Sequence, residues 1–219
     1  MSYPSPPWTL KGYALQTLQF VDCDRIRGFI PPELKIFSVG FGKTIGGIYI
    51  STYQAGSTLE YNELIVSPAI VTYKGTWGGW ITHIYVDHPD SVAGGREIWG
   101  LPKELATFNW EGSNGITISQ GSKQLCSLHY GTRNFGFPVN LSLPAFGLLG
   151  SDVVQFQASF QSQVSLMNGK LTIPNESPFA SFGLDHQNFT FSLNPLQVTT
   201  HIPKKIGTIT GTRPDESRR

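Results

Sequence analysis

The chain has 219 residues, of which 39% are hydrophobic and 12% aromatic, a composition that excludes a disordered protein. Only 14% of the residues are charged and the net charge is +1, which excludes the basic surface typical of a nucleic-acid-binding protein. The two cysteines, Cys23 and Cys126, are too few for a disulfide framework or for a structural zinc site of their own.

The first half of the chain is predicted to contain strands separated by short helices. Asp22 or Asp24 is expected to cap one or two helical turns that stop before Pro31-Pro32. Residues 88–97 predict a turn and a short helix that ends at Gly94-Gly95. Strands are expected at 10–21, at 34–53 as a hairpin broken by Gly42-Lys43, at 61–73 and at 79–87.

From residue 104 onward the pattern is almost purely that of strands. Two strands are predicted to flank the turn at 120–123, and a last pair is expected over 179–201. The alternation along 153–173 turns at Asn168-Gly169, which predicts a hairpin there. Residues 203–219 are polar and Gly-rich and predict a flexible tail, which leaves residues 1–202 as one domain.

The strand count predicts a mainly β fold with one or two short helices. About ten strands favour a closed or nearly closed antiparallel barrel, since closure removes exposed strand edges and encloses a ligand cavity. A sandwich of two sheets is the alternative that strand counting leaves open.

Targeting, membrane and cofactor signals are absent from the sequence. The N-terminus has no basic start followed by an apolar run, and no stretch reaches the roughly 18 apolar residues that span a bilayer. We therefore expect a cytoplasmic protein with no membrane or nucleic-acid partner. The five histidines show no metal-binding spacing and no nucleotide-binding motif occurs, so we expect neither a metal nor a cofactor.

The segment Gly95–Lys103 reads GREIWGLPK and is the most distinctive part of the sequence. Its last residue, Lys103, follows a proline and has apolar neighbours at Trp99, Leu101 and Leu105. If the lysine faces inward, these neighbours exclude water and favour the neutral amine. Alone, the segment is also compatible with a Gly-rich turn that ends in a solvated lysine.

This segment and three others together resemble the acetoacetate decarboxylase superfamily. The matching elements are Tyr61-Asn62-Glu63, Tyr85-Val86-Asp87, Gly95-Arg96-Glu97 and Pro102-Lys103. The resemblance implies a cone-shaped antiparallel β-barrel that assembles into a homo-oligomer. It also implies that Lys103 forms a Schiff base with a keto acid and that Glu63 assists.

Imine chemistry explains why a lysine is needed at this position. A neutral amine attacks a ketone to give an imine, and the protonated imine is an electron sink that lets a neighbouring bond break. Glu63 is the candidate general acid and base, although a solvent-exposed carboxylate at a strand end is its alternative interpretation. Arg96 is a candidate for an anion contact because a guanidinium binds carboxylates in a bidentate manner, and Tyr61 is the second candidate substrate-binding residue.

The chain departs from the decarboxylase pattern at three places. Glu104 stands where the decarboxylases have a second lysine, the first strand has no arginine, and residues 44–59 contain no acid. If the segment around Lys103 is extended, Glu104 points to the opposite face from Lys103.

Because of these departures, three functions remain open. They are a Schiff-base lyase acting on a keto acid or small carbonyl compound, a barrel that binds an apolar small molecule without reaction, and a structural subunit of an oligomer.

Overall fold

The computed structural model describes residues 3–131, 135–186 and 189–210. Within these ranges it has two helices and sixteen strands. The helices are α1 (Cys23–Ile26) and α2 (Pro89–Trp99). The strands are β1 (Trp8–Asp22), β2 (Lys35–Ile36), β3 (Lys43–Tyr53), β4 (Tyr61–Ser67), β5 (Ala69–Tyr73), β6 (Thr76–Trp80), β7 (His83–Val86), β8 (Lys103–Leu105), β9 (Thr107–Glu111), β10 (Gly115–Gln120), β11 (Lys123–Tyr130), β12 (Phe137–Leu149), β13 (Asp152–Met167), β14 (Gly169–Thr172), β15 (Phe189–Thr200) and β16 (Lys204–Thr208).

The strands form two sheets. Twelve strands form the larger sheet, in the order β2-β5-β6-β12-β13-β15-β1-β3-β4-β7-β8, with β16 paired to β13. The smaller sheet has the order β14-β11-β10-β9. The mainly β class and the short helices are therefore as the sequence predicts.

The central strands of the larger sheet are buried on both faces. On β3, Ile48 and Ile50 belong to a core that also contains Ile116 and Ile118 of the smaller sheet. Tyr49 and Tyr53 point to the opposite face and belong to a second apolar cluster. Successive side chains of a strand alternate between faces, so one strand separates a core between the sheets from a cavity on the other side.

The predicted closure into a barrel is not confirmed. Among the described residues, no ladder of hydrogen bonds joins the two edge strands of the larger sheet, β2 and β8. Ten strands of this sheet nevertheless line one cavity, from β5 near one edge to β8 at the other. The sheet therefore curls around the cavity without closing.

Three predicted strand pairings are wrong. The segment 34–53 is not a hairpin, because β2 pairs with β5 and β3 pairs with β1 and β4. Residues 153–173 are not a hairpin either, because β13 stays in the larger sheet while β14 joins β11 in the smaller one. The expected pair over 179–201 is a short 3-10 turn at Ala180–Phe182 and the single strand β15.

Part of the predicted tail is ordered. β16 pairs with β13, and Lys205 Nζ lies 2.7 Å from the Asp152 carboxylate. Ile209 is buried, which explains why a polar segment docks on the sheet. The remainder of the predicted tail, residues 211–219, lies outside the described residues. In the described part of the chain, no helix has the length and hydropathy needed to cross a bilayer.

Candidate functional site

Helix α2 and strand β8 place Lys103. His88 caps the helix by accepting a hydrogen bond from the Asp90 amide, and the helix ends at Gly100, whose φ of 63° is left-handed. The predicted end at Gly94-Gly95 is wrong, since the helix continues for another turn to Trp99. Lys103 then begins β8, which runs parallel to β7.

The glycine pair within α2 allows close packing instead of ending the helix. A Cβ added at Gly94 would approach the Trp8 ring to 2.6 Å, and one added at Gly95 would approach Cε of Lys103 to 2.7 Å. Such distances are shorter than real side-chain contacts allow. The lysine side chain therefore lies against the helix in space that only glycine leaves open.

Lys103 and Glu63 form a buried ion pair. The distance from Lys103 Nζ to Glu63 Oε1 is 2.7 Å, and the two residues are 3% and 5% exposed. Strand register brings them together, because β7 lies between β4 and β8 and pairs with both. The two candidate catalytic residues thus face one another inside the protein.

Hydroxyl groups occupy the remaining polar positions around this pair. Lys103 Nζ donates to Ser91 Oγ at 3.0 Å, and the Tyr53 hydroxyl donates to Glu63 Oε2 at 3.1 Å. The Tyr49 and Tyr53 hydroxyls lie 3.3 Å apart. Burial raises the pKa of Tyr49, Tyr53 and Tyr61 above the ordinary phenol value, so these groups are neutral hydrogen-bond donors.

Aromatic rings cover the ammonium group on its other sides. Lys103 Nζ lies 5.0 Å from the centroid of the Tyr61 ring and 5.9 Å from that of Trp8. Both rings are almost fully buried. They exclude water from the amine and offer it their π faces.

Arg96 and Glu104 lie outside this cluster. The Arg96 Nε donates to the Lys103 carbonyl oxygen at 2.7 Å, and the residue is exposed. Arg96 therefore holds the backbone of Lys103 and is not among the residues that line the cavity described below. Glu104 points to the opposite side of β8, where it accepts a hydrogen bond from Gln120 at 2.7 Å.

The ion pair lines a cavity of about 290 Å³ on the curled face of the larger sheet. Its wall includes the buried residues Trp8, Trp99 and Lys103. It also includes Leu18 and Leu143, which are 37% and 47% exposed. Among the described residues that line it, only Lys103 and Glu63 carry a charged group.

Sequence reasoning missed Ser91, Tyr53 and Trp8 as parts of the site. Ser91 lies four residues before Gly95, and this spacing puts both on one face of a helix. That signal would have found Ser91 if the helix had been continued through the glycines. Trp8 lies before the strand expected at 10–21, whereas in the structure it begins β1.

The family model described as "Acetoacetate decarboxylase (ADC)" matches residues 2–147. The chain belongs to the acetoacetate decarboxylase family. The matched range contains every residue of the cluster around Lys103. In the described residues no three His, Cys, Asp or Glu side chains are grouped so that they could hold a metal.

Curated plant proteins named NEOXANTHIN-DEFICIENT 1 match part of the chain. Protein NEOXANTHIN-DEFICIENT 1 of Arabidopsis thaliana is 32% identical over 146 residues, which cover 67% of this chain and 46% of the relative. Its counterpart in Solanum lycopersicum is 33% identical over 109 residues, which cover 50% of this chain and 37% of the relative. The aligned regions thus span less than half of the length of these relatives.

Solved structures of acetoacetate decarboxylase-like proteins share the fold. Acetoacetate decarboxylase from Legionella pneumophila has a TM-score of 0.77 at 18% identity, covering 96% of this chain and 91% of its own. The enduracididine biosynthesis enzyme MppR, with HEPES buffer bound, has a TM-score of 0.72 at 14% identity, covering 93% of this chain and 89% of its own. At these identities the likeness is one of fold.

Proposed function

We propose that the protein is a lyase that forms a Schiff base between Lys103 and a carbonyl compound. The observation that carries the proposal is the buried pair of Lys103 and Glu63 in the wall of a cavity. The family match supports it, and so does MppR, whose structure has been solved in complex with pyruvate, a keto acid.

The pair supplies the proton transfer that imine formation needs. Removing both charges from water is costly, which brings the neutral amine and carboxylic acid closer in free energy to the ion pair. Transfer of one proton from Nζ to Oε1 across 2.7 Å frees the lone pair of Lys103. The amine then attacks the carbonyl carbon and forms the N–C bond.

Glu63 returns the proton in the next step. The carbinolamine oxygen takes that proton together with the one released by the nitrogen, and it leaves as water while the C=N bond forms. Tyr53 holds the other carboxylate oxygen and keeps Glu63 oriented toward Lys103. The imine forms with one proton still on its nitrogen, and in this protonated form it accepts the electrons of a neighbouring C–C or C–H bond.

Three reactions start from this intermediate. Loss of carbon dioxide, cleavage or formation of an aldol bond, and loss of water all use the protonated imine as the electron sink. Among the described residues that line the cavity, Glu63 is the only carboxylate, so it is the group placed to transfer protons to and from the substrate. The lyase proposal covers these three reactions.

The second candidate is a protein that binds an apolar molecule without reaction. It is favoured by the lining of the cavity, which apart from the ion pair is formed mostly by aliphatic and aromatic side chains. In that case Lys103 and Glu63 remain an ion pair that only forms part of the cavity wall.

Reductive trapping separates the two candidates. The protein is incubated with a panel of ketones, aldehydes and keto acids in the presence of cyanoborohydride, and the modified peptide is mapped by mass spectrometry. We expect a secondary amine at Lys103 and none in the Lys103→Arg variant, which keeps the positive charge opposite Glu63. A folded protein that binds these compounds and gives no adduct at Lys103 would refute the lyase proposal.

A further inference from the structure

The charge balance of the cavity restricts what can react in it. Lys103 and Glu63 neutralise one another at 2.7 Å, and no other charged group occurs among the described residues that line the cavity. A substrate carboxylate would therefore enter without a cationic partner. Transfer of an unpaired carboxylate into such an environment carries a large desolvation penalty.

The polar groups that remain are neutral and few. Tyr49, Tyr53 and Tyr61 stay protonated because burial raises the pKa of each phenol. The side-chain amide of Gln16 donates to the carbonyl oxygens of Thr17 and Ile48. These groups suit a carbonyl or hydroxyl oxygen and provide no positive charge.

The cavity is also larger than a short ketone needs, and most of its wall is apolar. Its volume of about 290 Å³ equals the liquid volume of about ten water molecules. Apolar side chains such as Leu10, Phe156 and Val198 form much of the wall.

We infer that the site selects an uncharged carbonyl compound with a large apolar body, which packs against the aliphatic and aromatic wall while its carbonyl carbon reaches Lys103. This inference rests on the proposed Schiff-base function and specifies its substrate class. A short keto acid fits poorly, because it leaves the apolar wall uncovered and its carboxylate unpaired.

Matched probes test the inference in the intact protein. The probes are 4-decanone, 4-oxodecanoate, the methyl ester of 4-oxodecanoate, and the short ketone 2-pentanone. The acid and its ester have the same carbon chain and differ in charge, whereas 2-pentanone differs from 4-decanone in length. Adduct formation at Lys103 is followed by reductive trapping, and binding is followed separately by quenching of tryptophan fluorescence.

We expect 4-decanone and the ester to be trapped at Lys103 at least about tenfold faster than 4-oxodecanoate and 2-pentanone, since only they fill the wall without burying a charge. Trapping of the acid at the rate of its ester, or of 2-pentanone at the rate of 4-decanone, would overturn the inference and leave the Schiff-base function intact.

If no probe is trapped, the lyase proposal fails, and the substrate class is then judged from the quenching of tryptophan fluorescence alone. Quenching by 4-decanone and not by the acid then supports the substrate class, and equal or absent quenching by both overturns it.

Gln16 provides a test by gain of function. Strand register places Gln16, Tyr49, Ile65, Ile84 and Lys103 in one row across five strands, so the first and last residues of the row face the same cavity. Gln16→Arg adds a cation to the wall, and Gln16→Leu removes the amide without adding charge. We expect the arginine variant to trap 4-oxodecanoate at least about tenfold faster than the leucine variant. Equal rates in two folded variants would contradict the charge argument.

Discussion

The side chain of Lys103 lies against Gly95, at a place where a Cβ would approach its Cε to 2.7 Å. The glycine of the GREIWGLPK segment therefore makes room for the lysine at the end of the same segment. The spacing between the two is set by one further helical turn, a left-handed residue at Gly100 and the start of β8. The geometry of the site therefore explains why the motif contains both this glycine and this lysine.

Replacing Gly95 by alanine is expected to displace the lysine without unfolding the protein. The atoms nearest to the added methyl group belong to the flexible Lys103 side chain, and alanine favours a helix by about 1 kcal/mol over glycine. A displacement of about 1 Å lowers the rate of a positioned reaction by up to about a hundredfold. We expect reductive trapping to fall by one to two orders of magnitude, roughly, with little change in melting temperature.

Ala93→Gly is the control for this variant. It lowers the helix propensity of α2 by about 1 kcal/mol at a half-buried position two residues before Gly95. We expect it to lower stability and to leave trapping close to that of the parent. Unchanged trapping in Gly95→Ala would contradict the claim that the close contact between Gly95 and Lys103 positions the amine for reaction.

The Lys103–Glu63 pair is expected to show strong coupling in unfolding experiments. Removing one partner of a buried ion pair leaves an uncompensated charge and costs about 3–5 kcal/mol, whereas removing both costs much less than the sum. Lys103→Met, Glu63→Gln and the double variant form the cycle, measured by urea denaturation. We expect a coupling energy of about 2–3 kcal/mol. Additive effects would show that the two side chains do not interact in solution.

Stability is expected to fall steeply above pH 10. In the unfolded chain Tyr49, Tyr53 and Tyr61 titrate near the ordinary value of 10.0, whereas burial raises each pKa in the folded protein. Above pH 10 the folded state therefore holds more protons than the unfolded state, so the free energy of unfolding decreases as pH rises. Each phenol contributes about 1.4 kcal/mol per pH unit until it ionises in the folded state.

Cys126 adds to the same trend, because burial raises the pKa of its thiol to about 12 from an ordinary value of 9.0. Urea denaturation from about pH 8 to about pH 11 measures how the free energy of unfolding changes with pH in the parent and in Tyr49→Phe. The variant should lose about one third of the tyrosine contribution. Titration of these phenols near pH 10 in a protein that is still folded would contradict their burial.

Gly169 is expected to tolerate no side chain, although it is not part of a hairpin turn. A Cβ at this position would lie 2.7 Å from Cβ of Thr190, on strand β15 of the larger sheet. Gly169→Ala is expected to cost about 1–3 kcal/mol in the free energy of unfolding. Gly131→Ala is the control, since its Cβ would have no neighbour closer than 3.8 Å and should change stability by less than about 0.5 kcal/mol. Equal effects of the two variants would contradict the strand packing described above.

Local patterns predicted most strands but not which strands pair. Alternation and turn residues mark where β13 and β14 begin and end, and Asn168-Gly169 is a strong local hairpin signal. The chain instead changes sheets at that point, because Leu171 packs into the core between the sheets while β13 remains beside β15. Such a choice depends on the burial of distant residues, which a local pattern does not contain.

The candidate site was predictable where a sequence motif contains it. Lys103 and Glu63 were predicted because their segments resemble those of the acetoacetate decarboxylase superfamily, and the apolar neighbours of Lys103 agree with a buried amine. The partners Ser91 and Tyr53 could not be found, because a hydroxyl becomes relevant only when packing brings it to hydrogen-bond distance. Arg96 has a functional residue type but binds the Lys103 carbonyl outside the cavity.

The most direct test of the central claim is exchange of carbonyl oxygen with water. A ketone labelled with oxygen-18 loses its label whenever the amine of Lys103 forms an imine and the imine is hydrolysed, even if no bond to carbon breaks. With 4-decanone, we expect the parent protein to accelerate the loss of label and Lys103→Arg to leave it at the rate in buffer. Equal rates for the two folded proteins would contradict imine formation at Lys103.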